Sequence, residues 1–328
     1  MGEATRKVRV LASVSCVALL AVACGGGGGA TDTGLSGTID GAGSSTVFPI
    51  TEAIAEEFRR ENPDVQVPLR ETGTGGGFEA FCIDGDADFT GASRPIKTAR
   101  DPEEPDVPAE AENCEENEIE WVEFQVAVDG LTVVINPENE WAECLTVEEL
   151  AKIWGPDSEG KVNNWSQVRD GFPDETIDLF GPGSDSGTFD FFTDEINGEE
   201  GAQRIDYENV GEKDDKTITG VADNVGGIGY LGYAFYVNNT DKVKAMEVDS
   251  GEGCVAPNDE TVSGNTYTPL SRPLFIYVRS DALDRPEVSA FVEFYLDIVG
   301  DIIGEVGYVA MPEETLAEER SELQAATA

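Results

Sequence analysis

Three glycine- and hydroxyl-rich turns, each placed just before a predicted helix, constrain this chain more than any other feature. They are Gly41-Ala42-Gly43-Ser44-Ser45-Thr46-Val47-Phe48-Pro49, Thr72-Gly73-Thr74-Gly75-Gly76-Gly77 and Gly183-Ser184-Asp185-Ser186-Gly187-Thr188. The first N–H groups of a helix lack intrahelical partners and carry roughly half a positive charge between them, so such a turn suits an anion. Any one of these turns is also an ordinary cap or loop. Three in one chain point to an oxyanion held by neutral donors. None is followed by the Gly-Lys-Ser/Thr of a P-loop, and the first lacks the third glycine of a dinucleotide fingerprint.

Around these turns, strand-like and helix-like patterns alternate. Strands are expected at 37–43, 65–69, 177–180 and 274–278, and helices at 50–60, from 78, at 145–154, from about 188 and at 286–299. The stretch Trp121–Ile135 reads as two strand segments joined by a turn at Asp129-Gly130. Thr146 and Glu149 form a capping box. The acidic stretch Asp101–Glu118 reads as a solvated loop. The alternation argues an α/β architecture with open, mostly parallel sheets.

Composition narrows the chemistry. The 328 residues hold 66 Asp+Glu against 21 Lys+Arg, a net charge of −45, which excludes a nucleic-acid-binding surface. There is no histidine, so Ser-His-Asp and Cys-His catalysis and His-ligated zinc are excluded together. Asp84-Gly85-Asp86-Ala87-Asp88 begins like an EF-hand, but Phe89 and Pro95 stand where that loop needs Gly and Glu, so no metal and no cofactor is expected.

The N-terminus reads as an address. Arg6, Lys7 and Arg9 precede an apolar run ending at Ala21-Val22-Ala23-Cys24, the pattern of a lipoprotein signal cleaved before Cys24. Gly25–Gly29 then form a flexible tether. The protein is therefore expected outside the cytoplasm, touching the membrane only through a lipid on Cys24. In that oxidising compartment Cys82, Cys114, Cys144 and Cys254 are expected to pair, with three pairings open.

Taken in order, the first turn, Gly73-Thr74-Gly75-Gly76-Gly77, Gly91-Ala92-Ser93-Arg94-Pro95 and Asp185-Ser186-Gly187-Thr188 resemble the four ligand-contacting segments of the PstS family, the phosphate-binding proteins of phosphate ABC transporters. Gly226-Gly227-Ile228-Gly229-Tyr230 extends the likeness over most of residues 38–312. The resemblance implies a type II periplasmic-binding-protein fold, two α/β domains joined by two crossover strands. Residues 1–23 are then the signal peptide and 24–37 the tether. Residues 38–129 with 272–328 form domain I, and 130–271 form domain II. That division favours the pairs Cys82–Cys114 and Cys144–Cys254, each within or beside one domain.

The implied protein is a binder, not an enzyme: a monomer that captures inorganic phosphate and delivers it to a membrane ABC permease. Sulfate and arsenate are the alternative ligands, and a phosphatase using Ser186 is the remaining one. The implied ligand set is Ser45, Thr46, Val47, Thr74, Gly75, Ser93, Ser186, Gly187 and Thr188. Many family members carry an Asp after the Ala-Ser of the third segment and an Arg before the fourth, where this chain has Arg94 and Pro182-Gly183. Arg94 is therefore expected to supply the cation. Asp129, or else Asp185, is expected to accept the ligand's proton, with Arg94 and Asp129 forming a coupled pair at the phosphate.

Overall fold

The computed structural model describes residues 34–328 apart from 101, 103, 104, 212 and 305. The signal, Cys24 and the Gly25–Gly29 tether lie outside the described residues. Among the described residues no helix is long and apolar enough to cross a membrane.

One long strand organises the molecule. The sheet strands are β1 (Gly41–Gly43), β2 (Leu69–Glu71), β3 (Phe89–Ala92), β4 (Trp121–Ile135), β5 (Asp178–Gly181), β6 (Glu208–Asn209), β7 (Gly227–Gly232) and β8 (Ser271–Arg279). They lie in the order β2-β1-β3-β8-β4-β7-β5-β6, with Lys244–Ala245 pairing β4 off that path. The two outer groups are parallel: β1 with β2 and β3, and β5 with β6 and β7. The centre is antiparallel, since β8 pairs both β3 and β4, and β7 pairs β4. The expectation of mostly parallel sheets thus holds at the flanks and fails in the middle, where the chain crosses out along β4 and back along β8.

β4 is a single strand rather than two segments with a turn. Its first part, Trp121–Gly130, pairs β8, and Leu131–Ile135 pairs β7. From Val126 onward every residue is buried, so reversing the chain at Asp129-Gly130 would expose apolar side chains on both sides. Gly130 serves close approach instead: a Cβ there would sit 2.5 Å from Val262 Cγ1.

The helices pack on this frame. α1 (Phe48–Glu61) buries Ile50, Thr51, Ile54, Ala55 and Phe58 on one face, starts with Pro49 in its first turn and ends on Arg59 and Arg60. Phe58 meets Phe291 of α7 (Pro286–Ile302) edge-on at 5.3 Å, and Thr51 hydrogen-bonds Tyr295 at 3.1 Å. α2 (Gly73–Phe78) begins five residues earlier than expected, so the second glycine turn is itself the start of the helix. α3 (Glu110–Glu116) replaces part of the expected loop: Ala111 and Cys114 are buried, and Cys114 is bonded to Cys82. α4 (Val147–Trp154) starts at Thr146, whose Oγ1 accepts from Glu149 N–H while Glu149 accepts from Thr146 N–H. α5 (Gly187–Phe192) follows the fourth segment; Phe192 stacks on Tyr230 at 3.8 Å, and Tyr230 meets Trp154 at 4.9 Å. α6 (Asp214–Asp223) covers β7, and α8 (Glu313–Ala326) packs on α7 and β4. The second disulfide joins Cys144 to Cys254, so both favoured pairings are present.

A buried arginine also holds the β5–β7 half together. Arg204 donates to the carbonyls of Ile153 and Val162 at 3.0 and 2.7 Å and forks onto Asp206 at 2.6 and 2.9 Å. These guanidinium bonds hold the Asp206 carboxyl down at about 2.

Two outcomes follow from this packing. Gly130→Ala should lower the free energy of unfolding by about 1–3 kcal/mol, and Val262→Ala should relieve part of that loss, so that denaturant melts of the double variant show positive coupling. Asp206→Asn should lower stability by about 1 kcal/mol at pH 6–7, a figure discounted because Asp206 is partly exposed. Its folded pKa is depressed, so the wild type's advantage should be full above the ordinary aspartate range and vanish as pH falls toward 2.

Candidate functional site

Strand order brings three of the segments together. β1, β2 and β3 are parallel neighbours, so the loops after Gly43, Glu71 and Ala92 leave the same edge of the sheet. Backbone bonds tie them: Ser44 N–H to Gly91 carbonyl at 2.9 Å, and Thr72 N–H to Gly43 carbonyl at 3.0 Å. Gly43 is required here, with φ +136° and space for a Cβ only 2.2 Å from Gly91 carbonyl oxygen. Thr74 and Ser93 hydroxyls then meet at 3.1 Å, and Thr46 N–H donates to Ser44 Oγ at 3.1 Å.

The fourth segment faces them across a cleft with two adjoining cavities. One, of about 430 Å³, is lined by Thr46, Asp129, Ser186, Gly187 and Thr188, with Tyr308 beside them. The other, of about 420 Å³, is lined by Ser45, Thr46, Thr74, Gly75, Ser93, Arg94, Gly187 and Arg272. Thr46 and Gly187 border both. Ser186 is buried at the N-cap of α5 and makes no side-chain capping bond, which leaves its hydroxyl for the cleft. Val47 lines neither of these cavities; it is buried, and its N–H is bonded to Ser44 carbonyl at 3.2 Å. Asp185 is exposed and lines neither.

The arginine that pairs with Asp129 is Arg272, not Arg94. β4 and β8 place Asp129 directly opposite Arg272. Arg272 Nε and Nη2 lie 3.2 and 3.1 Å from Asp129 Oδ2, and Nη2 lies 3.3 Å from Thr46 Oγ1. The guanidinium carbon sits 3.7 Å from the centre of the Phe191 ring on α5. One side chain thereby touches the first segment, the crossing strand and the fourth segment's helix. Burial pushes the Asp129 carboxyl above its ordinary range, and Arg272 pulls it part of the way back.

Arg94 borders the second cavity but is held by another partner. It forks onto Glu110 at 2.8 and 2.7 Å and lies 5.9 Å from the Phe78 ring, so the expected Arg94–Asp129 pair does not form. The partner could not be foreseen because Glu110 opens α3, which lies in the stretch read as loop. Arg272 was legible only as an arginine within the apolar run Ser271–Val278, a placement that needs a buried partner to be tolerated.

The opposite wall is acidic. Asp190, Asp194, Glu195 and Glu200 line the second cavity with the two arginines. Burial first, then Glu200, pushes Asp190 upward, and Arg272 opposes this. Burial likewise pushes Glu195 up, opposed by Arg272 and reinforced by Asp194. Tyr308 is raised by burial and by Asp129. No sequence signal marks this wall, because its residues are scattered along a helix and turn without a recognisable spacing.

Residues 28–297 match the family model of a PBP superfamily domain. Phosphate-binding protein PstS of Staphylococcus aureus is 38% identical over 313 residues, 94% of this chain and 89% of that protein. The chain belongs to the PstS family. Protein SphX of Synechocystis is 45% identical over 273 residues, 83% of this chain and 78% of its own length. The solved structure of a possible phosphate binding protein from Planctomyces limnophilus superposes with a TM-score of 0.81 at 46% identity, over 90% of this chain and all of that one. An ABC-type phosphate transport receptor from Vibrio cholerae superposes with a TM-score of 0.63 at 25% identity, over 84% of this chain and all of that one. The fold is thus that of type II periplasmic binding proteins. This PstS-family chain keeps its hydroxyl groups on the cleft while its central cation comes from the returning strand.

Arg272→Ala should leave a buried carboxylate without its partner and lower stability by about 3 kcal/mol at pH 7. The deficit should shrink as pH falls and Asp129 takes a proton, and Asp129→Asn in the same chain should restore part of it. Denaturant melts at pH 7 and pH 4.5 measure both.

Proposed function

We propose that this chain is the phosphate-binding component of an ABC phosphate transporter, a binding protein and not an enzyme. The single observation that carries the reading is that Ser45, Thr46 and Thr74 line one cavity with Arg272, while Thr46, Ser186 and Thr188 line the adjoining one with Asp129. Phosphate oxygens are acceptors, and this set offers hydroxyl, backbone N–H and guanidinium donors from both sides of the cleft. The name of the PstS relative, a phosphate-binding protein, supports the same assignment.

Discrimination follows from the proton count. At neutral pH phosphate keeps at least one proton and can donate to Asp129, whereas sulfate has none and would face the carboxylate oxygen to oxygen. Arsenate keeps its proton as phosphate does, so this device does not reject it. Asp129 rather than Asp185 is the acceptor in this reading, because Asp129 lines the cleft and Asp185 does not.

Residues 38–129 with 272–328 act as one domain and 130–271 as the other, and the anion draws them together because it binds groups on both. The Asp129/Arg272 register, where β4 and β8 cross side by side, supports that boundary. We further read the chain as a monomer, cleaved before Cys24, lipid-anchored there outside the cytoplasm and docking on a membrane permease. The lipoprotein-type N-terminus and the two disulfides support that location.

Calorimetric titration of the unlipidated chain, freed of endogenous ligand by unfolding and refolding, tests this. Phosphate and arsenate should bind one-to-one and sulfate should not. Arg272→Ala should weaken phosphate at least a hundredfold, Asp129→Asn should narrow the phosphate–sulfate gap, and Arg94→Ala should change affinity less than threefold. Loss of binding in Arg94→Ala with none in Arg272→Ala would reverse the assignment of the cation.

A further inference from the structure

The cleft has more negative than positive charge before any ligand arrives. Its two guanidinium groups are both engaged, Arg94 by Glu110 and Arg272 by Asp129. Facing them in the same cavity stand Asp190, Asp194, Glu195 and Glu200, carried by α5 and the turn that follows it. Among the described residues lining that cavity, no further cation balances those four carboxylates. An anion of charge −2 would therefore enter a lining whose arginines are already neutralised pair by pair.

Resting on the phosphate reading above, we propose that phosphate dianion enters this cleft together with one proton from solvent, and that the Asp190–Glu195 wall holds that proton in the bound state. The balance is simple: one HPO4²⁻ and one H⁺ go in, one carboxylate becomes a carboxylic acid, and no other bond changes.

The geometry supports this wall over the other acids. Asp190 and Phe191 of α5 both line this cavity, and the Phe191 ring lies under the Arg272 guanidinium. Glu195 feels Arg272 from across the cavity and Asp194 from its own turn. Asp190 feels Glu200 and Arg272, and lies near buried Tyr230. Asp129 and Arg94 face the cleft from β4 and from the loop after β3, and each already has its partner; Asp214 at the start of α6 and Tyr308 border the adjoining cavity, with Tyr308 beside Asp129. Burial already pushes the carboxyls of Asp190 and Glu195 above their ordinary range, and a dianion in the same cavity pushes them further while screening the arginine that opposed the shift. A neutral carboxylic acid can then also donate a hydrogen bond to a phosphate oxygen, which a carboxylate cannot.

Calorimetry at pH 8.5 in buffers of low and high ionisation enthalpy tests the proposal, since free phosphate is then almost wholly dianionic. The dependence of the heat on buffer counts protons. About one proton taken up per phosphate is expected, with affinity falling about tenfold per pH unit between 7.5 and 8.5. Glu195→Gln, or Asp190→Asn should the first variant fold poorly, should bind phosphate more tightly than wild type at pH 8.5, with less proton uptake and a flatter pH profile. A merely structural role for these residues would weaken binding at every pH and leave the proton count alone. Wild-type binding with no proton uptake overturns the inference and leaves the phosphate reading standing. Uptake that persists undiminished in both variants places the proton on the anion and overturns the role of the wall. Absence of phosphate binding in the wild-type chain overturns the phosphate reading itself, and this inference with it.

Discussion

The antiparallel pairing of β4 with β8 is the constraint on which the rest depends. It joins the two parallel flanks into one sheet, and its register sets Asp129 against Arg272 at the place where both strands pass between the flanks. A charged pair in so apolar a strand is expensive to desolvate, and its net contribution to stability is small. Its value lies in position. Held by the backbone ladder, the guanidinium reaches Thr46 on one side and the Phe191 ring on the other without relying on a flexible loop. The glycine next to Asp129 lets Val262 close over the strand, which keeps the crossing buried on its far side.

A chain with net charge −45 holds an anion-type cleft because short-range geometry decides the site while long-range charge sets the surroundings. Ser45, Thr46, Thr74, Ser186 and Thr188 line the cleft, and in the proposed reading their donors act over hydrogen-bond distances, where a neutral hydroxyl or N–H is as usable as a cation. The carboxylates act over a longer range and are partly answered by the arginines. Acidity therefore does not prevent anion binding here; it changes the protonation at which the anion is accommodated.

Much of the local structure was legible. The capping box at Thr146 and Glu149, the amphipathic face of α1 and the turn-then-helix at Ser186–Thr188 all follow from patterns within one turn or one strand. The errors share one cause, a local signal overruled by a distant partner. Asp129-Gly130 has the composition of a turn, yet buried neighbours on both sides keep it extended. The 101–118 stretch has the composition of a loop, yet the Cys82–Cys114 bond and burial of Ala111 make α3 worthwhile. Arg94 has the setting of a ligand-binding cation, yet Glu110 sixteen residues on claims its fork.

By itself the sequence determined the chemical kind of the site. Hydroxyls and glycines at helix starts, no histidine, and an even set of cysteines after a lipoprotein-type N-terminus point to oxyanion binding outside the cytoplasm, because those properties belong to residues and their immediate neighbours. Only the tertiary structure decided which charges meet. Asp129 and Arg272 are 143 residues apart, and their contact is set by strand register, which no local pattern encodes. The acidic wall and the turning of Arg94 toward α3 are likewise consequences of which surfaces the folded sheet brings face to face.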